Sequence, residues 1–453
     1  MKLHYIVFVA TLLLANCSFT NAQTNEVDLK ELAYQTAVTS GAYDKIGRKN
    51  LKWDKDARDC LTLYAQVRCL TNGIPDDILA RLKAKLSRLD QMGCNDPLIR
   101  YLQLRFVSSD THSAAETEAA FRDVAAALEQ SDYPEIIKCF AIIRWRDALK
   151  NSNHQEPAGR TLSERAAGYL AKAFDDKTMP LKDADDALDQ LMSAAWWADA
   201  LCWNCYRILE PTLTNHWGGT SVALRAKGRA YLSYAWLARG SGYANTVSAE
   251  GWKLTEQRLE VATEALETAW KLNPTDARIC LEMLRVGLAQ GPGGSRMETW
   301  FLRGMKLNPG YWDLCYAKLE YLRPRWYGSI GEMIDFGRDC SANTNWTGRV
   351  RLLLVDAHLE ASREIQDDND RKAYWLKPNV WPDIKSTYEQ FFKLYPNESD
   401  YRQYYALFAA RCGKVHEFAT QIKMAPWTNY SMFGGEERLR GMINYAQQHQ
   451  KDN

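Results

Sequence analysis

Cys202 and Cys205 are the residues whose spacing most directly suggests chemistry, because only two residues separate them. A redox dithiol with this spacing lies at a helix N-terminus, where the helix dipole lowers the thiol pKa. Here the pair follows 183–201, whose apolar spacing predicts a helix, so we expect the pair inside or at the end of that helix. A zinc site would need further ligands such as a close pair of histidines, and the two histidines closest to each other in sequence, His416 and His449, are 33 residues apart. A structural role is therefore favoured for both cysteines.

Other motifs of catalysis and cofactor binding are absent or incomplete. The sequence has no GxSxG nucleophile elbow. A glycine-rich segment at 291–295 lacks the Gly-Lys-Ser/Thr of a phosphate-binding loop, and the acidic segment 367–370 lacks the glycine and glutamate of an EF-hand. We therefore expect no catalytic activity, no cofactor and no bound metal. An enzyme with dispersed site residues stays open as a second alternative, because folding can gather residues that are distant in sequence.

A loop rich in glycine, serine, tyrosine and asparagine interrupts the helical pattern over 239–251. Together with a second segment at 323–326, it would present cations and aromatic rings on loops. Loops on one face of a helical array often form its binding surface. The candidate binding residues are Trp236, Arg239, Tyr243, Asn245, Lys318, Arg323, Arg325 and Trp326. The alternative is that Arg239 and Asn245 cap helix ends and brace an irregular junction.

A short internal repeat indicates the elements that would position these loops. Leu272-Asn273-Pro274 recurs 35 residues later as Leu307-Asn308-Pro309, with a looser copy at 394–396. Tetratricopeptide repeats have a period of ~34 residues, and a proline follows the second helix of each pair. Apolar or small residues precede each proline at spacings that share one helix face. They are Ala262, Leu266 and Ala269 before Pro274, Met297, Phe301 and Gly304 before Pro309, and Ile384, Tyr388 and Phe391 before Pro396.

Most of the remaining chain also shows apolar residues at three- and four-residue spacing, and sustained apolar/polar alternation is absent. We therefore predict an all-α protein, an irregular tetratricopeptide-like α-solenoid built as a right-handed stack of helical hairpins. A break between helices is expected at 367–382. The predicted organisation is a signal peptide at 1–22, an N-terminal helical region at 23–150, a repeat region at 160–446 and a disordered tail at 447–453.

Several long phrases of the sequence resemble a known family. They are WLARGSGYAN at 236–245, AQGPG at 289–293, METWF at 297–301 and, above all, AKLEYLRPRWYGS at 317–329. Together they resemble a family of uncharacterised bacterial tetratricopeptide-like proteins, a group with a domain of unknown function that is common in planctomycetes and their relatives. The likeness covers roughly residues 190–345. It implies a helical-repeat fold and export, and it implies no particular activity, because the family has none established.

The N-terminus has the three parts of a secretory signal peptide. Lys2 and His4 precede an apolar segment at 5–15, which is too short to span a membrane, and small residues at 20–22 favour cleavage before Gln23. The segment that ends at Cys17 resembles a lipoprotein box, but an asparagine stands where a small residue is required, which disfavours lipid attachment. We therefore predict an exported protein, periplasmic or extracellular, whose mature chain has no transmembrane segment.

Cleavage would leave ten cysteines, an even number that an oxidising compartment permits to pair. We expect about one to three disulfides, with their connectivity open. Cys280 and Cys315 share the 35-residue spacing of the repeat. Equivalent positions in neighbouring repeats lie ~8–10 Å apart, whereas a disulfide requires Cα atoms within ~7 Å. These two cysteines should therefore not be bonded to each other.

Charge and aromatic content limit the class of partner. Lys plus Arg number 57 and Asp plus Glu 56, so the chain has no global field that would attract nucleic acid or an anionic membrane. The 16 tryptophans and 23 tyrosines are expected mainly in the core. The function that fits is an exported scaffold or peptide- and protein-binding module without catalytic activity. The alternative is a periplasmic or surface glycan-binding protein that uses exposed Trp and Tyr side chains.

Overall fold

The computed structural model describes residues 28–70, 73–107, 113–151, 156–192, 201–291, 294–426 and 428–448. It is 78% helical, and no strand occurs among these residues, so the predicted all-α class is confirmed. The predicted signal peptide at 1–22 and most of the predicted tail, 449–453, lie outside the described residues. Within the described part of the chain, no helix is both long enough and apolar enough to cross a membrane.

The described residues form two compact units. The first comprises the described residues up to Met192 together with Asn204–His216, and the second comprises 201–203 together with 217–448. In chain order, the helices up to residue 212 are α1 (Leu29–Val38), α2 (Ser40–Ile46), α3 (Asp54–Arg68), α4 (Asp76–Gln91), α5 (Pro97–Phe106), α6 (Ala114–Glu129), α7 (Glu135–Asn151), α8 (Glu156–Ala173), α9 (Leu181–Met192) and α10 (Leu201–Thr212), and a π-helical turn follows at Leu213–Trp217.

The remaining helices belong to the second unit. They are α11 (Ser221–Arg239), α12 (Ala249–Leu272), α13 (Ala277–Gln290), α14 (Gly294–Leu307), α15 (Trp312–Tyr321), α16 (Ile330–Ala342), α17 (Leu353–Arg363), α18 (Asp368–Trp375), α19 (Val380–Leu394), α20 (Tyr401–Arg411), α21 (Val415–Met424) and α22 (Glu436–Gln448). Short 3₁₀ segments lie at Ala244–Thr246, Gly348–Leu352 and Tyr430–Phe433.

In the first unit, neighbouring helices along the chain pack against each other. Helix α7 contacts both α6 and α8, and α9 contacts α7 and α8. Helix α8 buries Leu162, Ala166 and Leu170 at helical spacing, which gives it an apolar face to set against α7. The first unit therefore continues past residue 150, where the sequence had suggested the end of the N-terminal region.

In the second unit, the repeat positions form part of one apolar core. The residues predicted to face inward before each proline are all buried: Ala262, Leu266, Ala269, Met297, Phe301, Gly304, Ile384, Tyr388 and Phe391. Helices α12, α14 and α19 each end two residues before the proline of their repeat copy. The helix faces and helix ends that the repeat predicted are therefore confirmed. The tetratricopeptide character and the right-handed winding stay predictions.

Two predicted boundaries differ from the structure. The segment 367–382, expected as a break, contains α18, whose N-cap Asp367 accepts hydrogen bonds from the backbone of Asn369 and Asp370. An acidic run is favourable in the first turn of a helix, so this segment begins a helix. Helix α22 extends to Gln448, and the first two residues of the predicted tail are therefore helical.

The expected disulfides do not form among the described residues. The ten cysteines in this part of the chain are all free and buried. Free cysteine behaves as a small apolar residue in a core, and these side chains fill helix interfaces without cross-linking them. Burial raises the pKa of Cys60 and Cys280 to about 12, which keeps both as thiols. The expectation of one to three disulfides is therefore wrong, whereas the prediction that Cys280 and Cys315 are not bonded is confirmed.

Gly337 lies where α16 packs closely against α17. A Cβ atom at this position would lie 2.8 Å from the Cα of Leu354 and 3.1 Å from the Cβ of Ala357. Because a backbone atom cannot yield unless α17 moves, Gly337→Ala should lower the free energy of unfolding by about 1–3 kcal/mol, measured by urea unfolding. Gly331→Ala in the same helix is the control, since its nearest atom is 3.8 Å away. Equal stability of the two variants would contradict the close approach.

Candidate functional site

The candidate site is built around Arg239, the last residue of α11. Its side chain is buried, and the residue is 8% exposed. The chain leaves the helix at Gly240, whose φ of +72° is a conformation that glycine adopts without strain. Trp236 lies three residues earlier and therefore on the same helix face. Trp252 comes from the first turn of α12 and Trp326 from the segment between α15 and α16.

Three indole rings surround the Arg239 guanidinium. Its Cζ atom lies 5.1 Å from the ring centroid of Trp236, 5.6 Å from that of Trp252 and 5.2 Å from that of Trp326. Each distance is within the ~6 Å range of cation–π attraction. Trp236 and Trp326 also meet edge to face, with centroids 5.7 Å apart. Arg239 and these three tryptophans are called the Arg239 cluster below.

The hydrogen-bond partners of Arg239 are backbone carbonyls. Its Nη1 donates to the carbonyl of Gly240 at 3.3 Å and to that of Gly242 at 3.1 Å. Within the described part of the chain, no carboxylate forms an ion pair with it. Burial lowers the pKa of Arg239, and Tyr327 opposes this by raising it. The cluster therefore holds a desolvated cation whose charge no described side chain neutralises.

The loop that follows Arg239 is exposed over 240–246. Tyr243 is 77% exposed, and Asn245 is exposed as well. The N-cap of α12 is Ser248, whose Oγ accepts a hydrogen bond from the backbone N–H of Gly251 at 3.0 Å. The bracing alternative therefore holds for Arg239, which fixes the loop through two carbonyls, and does not hold for Asn245.

Lys318 and Arg325, two more candidate binding residues, are engaged in ion pairs. Lys318 Nζ lies 2.6 Å from Glu298 and 4.3 Å from the ring centroid of Phe301. The Arg325 side chain is 43% exposed, and its Nη2 lies 2.6 Å from Glu320. Both charges are thus neutralised within the second unit.

Arg323 is the centre of a buried ion-pair network. Its guanidinium lies 2.9 Å from Glu320, 3.0 Å from Glu360 and 2.5 Å from Glu364. Burial alone would raise the pKa of Glu320, but Arg323 and then Arg325 overcome this and lower it. Glu320 Oε1 also accepts the indole N–H of Trp326 at 3.1 Å. The network therefore positions Trp326 for the Arg239 cluster, and Arg323 itself is not on an exposed loop.

Sequence reasoning missed Trp252 and Tyr327. Trp252 is 38% exposed in the first turn of α12, beside the exposed loop. Trp252 could have been predicted from its position in the sequence, because a tryptophan in the first turn of a helix that follows a glycine-rich loop lies close to that loop. Tyr327 donates its hydroxyl hydrogen to the carbonyl of Leu288 at 2.9 Å, which fixes the segment carrying Trp326.

Cys202 and Cys205 both lie inside α10, which agrees with the prediction that the pair stands inside or at the end of a helix. Both are free and buried. A redox pair must reach its substrate, so burial of both thiols favours the structural role that the sequence suggested. Among the described residues, no group of three side chains is arranged to hold a metal ion.

A histidine with two polar partners is buried in the second unit. His358 Nδ1 lies 2.8 Å from the hydroxyl of Tyr374, and Nε2 lies 3.1 Å from Oδ2 of Asp383. Burial lowers the pKa of His358, whereas Asp383 raises it. His358 and Tyr374 are both buried. This buried imidazole, with a partner on each ring nitrogen, joins helices α17, α18 and α19.

Two aspartates have strongly shifted pKa values. Burial raises the pKa of Asp183 to about 6, although the positive charge of Arg68 acts to lower it. Burial also raises the pKa of Asp356 to about 6, although the hydrogen bond that Asp356 accepts from Trp312 acts to lower it. A functional acid is expected in a cleft. Neither aspartate lines the pocket of about 290 Å³ at the contact of α5 and α6. The shifted groups and this pocket therefore do not coincide.

Most tryptophans of the described residues are core residues or half-buried. Three of the 16 lie outside the described residues, and Trp252 is the single exposed one among the rest. Sugar recognition by aromatic stacking needs exposed rings. The observed burial therefore favours the core role that was expected for this residue type.

Two comparisons with known proteins found no match. No family model matches the chain, and no curated protein matches it. The resemblance of 236–329 to bacterial tetratricopeptide-like proteins stays a prediction. Function must therefore be argued from the Arg239 cluster itself.

Proposed function

We propose that the chain is an exported, tetratricopeptide-like scaffold that binds a peptide or protein and has no catalytic activity. The observation that carries the proposal is the Arg239 cluster beside the exposed loop 240–246. A buried cation with no carboxylate partner among the described residues lies next to Tyr243, an aromatic side chain that is 77% exposed. Tyr and Arg are enriched where proteins bind proteins, because both combine large contact area with directed hydrogen bonds.

The repeat pattern supports the tetratricopeptide-like part of the proposal. Small or apolar residues face the core at the expected offsets, and a proline follows each of the three second helices. Such arrays commonly present loops as a binding surface. The segment at 1–22 supports export, and the burial of every described cysteine is compatible with an oxidising compartment, because buried thiols are protected.

Tyr243→Ala is the substitution that tests the binding role. Peptides are first selected from a random twelve-residue library displayed on phage, against the intact chain. Their dissociation constants are then measured for the unchanged protein and for the variant. We expect Tyr243→Ala to weaken binding about tenfold, since truncating a central aromatic residue costs at least ~1.4 kcal/mol of binding free energy.

Tyr430→Ala is the matched control. Tyr430 is also an exposed tyrosine of the second unit, 49% exposed, on a short 3₁₀ segment far along the chain. Its loss should leave the dissociation constants within about twofold. The proposal fails if no peptide is enriched, or if the selected peptides bind Tyr243→Ala as tightly as they bind the unchanged protein.

A further inference from the structure

Arg239 differs from the other buried arginines of the described residues. Arg146 pairs with Asp147 at 2.9 Å, Arg225 with Asp276 at 3.4 Å and Arg323 with Glu360 at 3.0 Å. Arg239 alone among these four has no carboxylate partner in the described part of the chain. A buried cation without a counter-charge is unfavourable, so an external anion would be bound strongly.

The donors of Arg239 are only partly used. Nη1 donates to the carbonyls of Gly240 and Gly242, whereas Nε and Nη2 have no acceptor among the described residues. These two groups lie on one edge of the planar guanidinium, and together they match the two oxygens of a carboxylate. Three indole centroids lie within 5.6 Å of the Arg239 Cζ atom and reduce its contact with water, which strengthens such a pair.

We propose that Arg239 pairs with a carboxylate of an acidic peptide, which docks on the loop 240–246 and packs an apolar neighbouring residue against Tyr243 and Trp252. This inference rests on the proposed function and specifies the chemistry of its ligand. Its parts are a single unneutralised cation, the exposed Tyr243 on the loop, and the exposed Trp252 in the first turn of the helix that follows the loop.

The charge of the site favours a carboxylate over a phosphate group. Arg325, the residue that precedes Trp326 in the chain, could offer a second positive charge, but Glu320 holds it at 2.6 Å. A single unneutralised arginine matches one negative charge, whereas a phosphate monoester carries ~1.5–2. The aromatic side chains favour a peptide over a small free acid, because Tyr243 and Trp252 remain uncovered unless the ligand carries apolar groups.

The test uses random hexapeptide pools in which one position is fixed. For each of the six positions in turn, a pool with Asp or Glu fixed at that position is compared with a pool that has Asn or Gln fixed there. Each pool is made in two forms, one with a free C-terminus and one with an amidated C-terminus. Binding to the intact chain is followed by intrinsic tryptophan fluorescence. We expect an acidic residue at one position to tighten binding at least about tenfold over its amide, because a charge-assisted pair is lost with the charge. If the terminal carboxylate is the partner, amidation alone produces that loss.

Arg239→Met should abolish the preference for the acidic pools, while Arg239→Lys should retain part of it. Arg411→Met is the control, because Arg411 also lies over two rings, 5.3 Å from those of Trp375 and Phe408, but is exposed. Its substitution should leave the preference unchanged. On the unchanged protein, raising NaCl from ~50 to ~500 mM should weaken the acidic pools more than the amide pools, which tests the pairing even if Arg239→Met misfolds.

Three results would overturn the inference. The first is equal binding of the acidic and amide pools by a protein that still binds phage-selected peptides through Tyr243. That result would exclude a carboxylate as the partner of Arg239 and would leave the proposed peptide-binding function intact. An acidic preference that persists in Arg239→Met places the carboxylate elsewhere. If phosphopeptide pools bind more tightly than the Glu pools, the ligand is a phosphate and the inference is wrong.

Discussion

Arg323→Met is expected to lower the free energy of unfolding by about 3–5 kcal/mol, because it removes the one buried cation shared by three buried or partly buried carboxylates. The Arg323 side chain is 9% exposed and lies within 3.0 Å of Glu320, Glu360 and Glu364. Without it, the three carboxylates keep only Arg325 and Arg363 as counter-charges among the described residues, and the side chains of these arginines are 43% and 57% exposed. Urea unfolding at pH 7 measures the loss.

The pH dependence of this loss follows from the shifted pKa of Glu320. Its folded-state pKa lies below the ordinary value of 4.5, since Arg323 and Arg325 outweigh the effect of burial. A carboxyl group whose pKa is lowered by folding stabilises the fold at pH values above its ordinary pKa. That stabilisation is lost as the pH falls through the folded-state pKa. The difference between the unchanged protein and Arg323→Met should therefore shrink below about pH 4.5.

Two further variants separate pairing from general damage. Arg325→Met removes a 43%-exposed partner of the same Glu320 and should cost less than about 1 kcal/mol. Arg323→Met combined with Glu360→Gln should recover part of the stability, because one of the stranded charges is removed. A double variant no more stable than Arg323→Met would show that lost packing, and not charge, accounts for the effect.

Local signals in the sequence account for the parts of the fold that could be predicted. Helix ends follow from Pro274 and Pro309, which cannot continue a helix, and from Ser329, whose Oγ caps α16. Core faces follow from helical spacing, as at Ala262 and Phe301. Each of these signals lies within about one or two helical turns of its effect, so no knowledge of tertiary contacts is needed.

Contacts between distant residues could not be predicted. Arg239 was a candidate from its loop, but its environment depends on Trp252 and Trp326, which lie 13 and 87 residues further along the chain. The same limit applies to Arg323, whose partners on α17 are invisible in sequence. Only the fold therefore divides the eight candidate binding residues into an exposed loop, an aromatic cluster and a set of ion pairs.

The cysteine prediction failed for a related reason. An even number of cysteines permits pairing, but pairing requires Cβ vectors that point at each other, and helix packing sets those vectors. Every described cysteine instead fills a buried position, as Cys280 does beside Gly304. Cysteine count thus carried no information about connectivity in a chain with a large helical core.

Asp96→Ala is the second substitution with a large expected effect, and it acts in the first unit. Asp96 is buried and accepts four hydrogen bonds: from the backbone of Leu98 at 2.9 Å and Ile99 at 3.2 Å, from that of Arg48 at 2.9 Å, and from the Tyr133 hydroxyl at 2.9 Å. It therefore caps α5 and also ties two distant segments to that helix start. Loss of the cap costs ~1 kcal/mol, and each buried donor left unsatisfied adds ~1–3 kcal/mol.

We expect Asp96→Ala to lower the free energy of unfolding of the first unit by about 3–5 kcal/mol, measured by urea unfolding. Asp28→Ala is the matched control, because Asp28 caps α1 by accepting one hydrogen bond, from the backbone of Lys30 at 2.8 Å, at an exposed site. It should cost about 0.5–1 kcal/mol. Tyr133→Phe removes the hydroxyl group, so no donor is left without an acceptor. The loss of stability in Tyr133→Phe should therefore be close to that in Asp28→Ala. If Asp96→Ala costs no more than Asp28→Ala, water satisfies the stranded donors, and Asp96 is an ordinary helix cap with no part in joining distant segments.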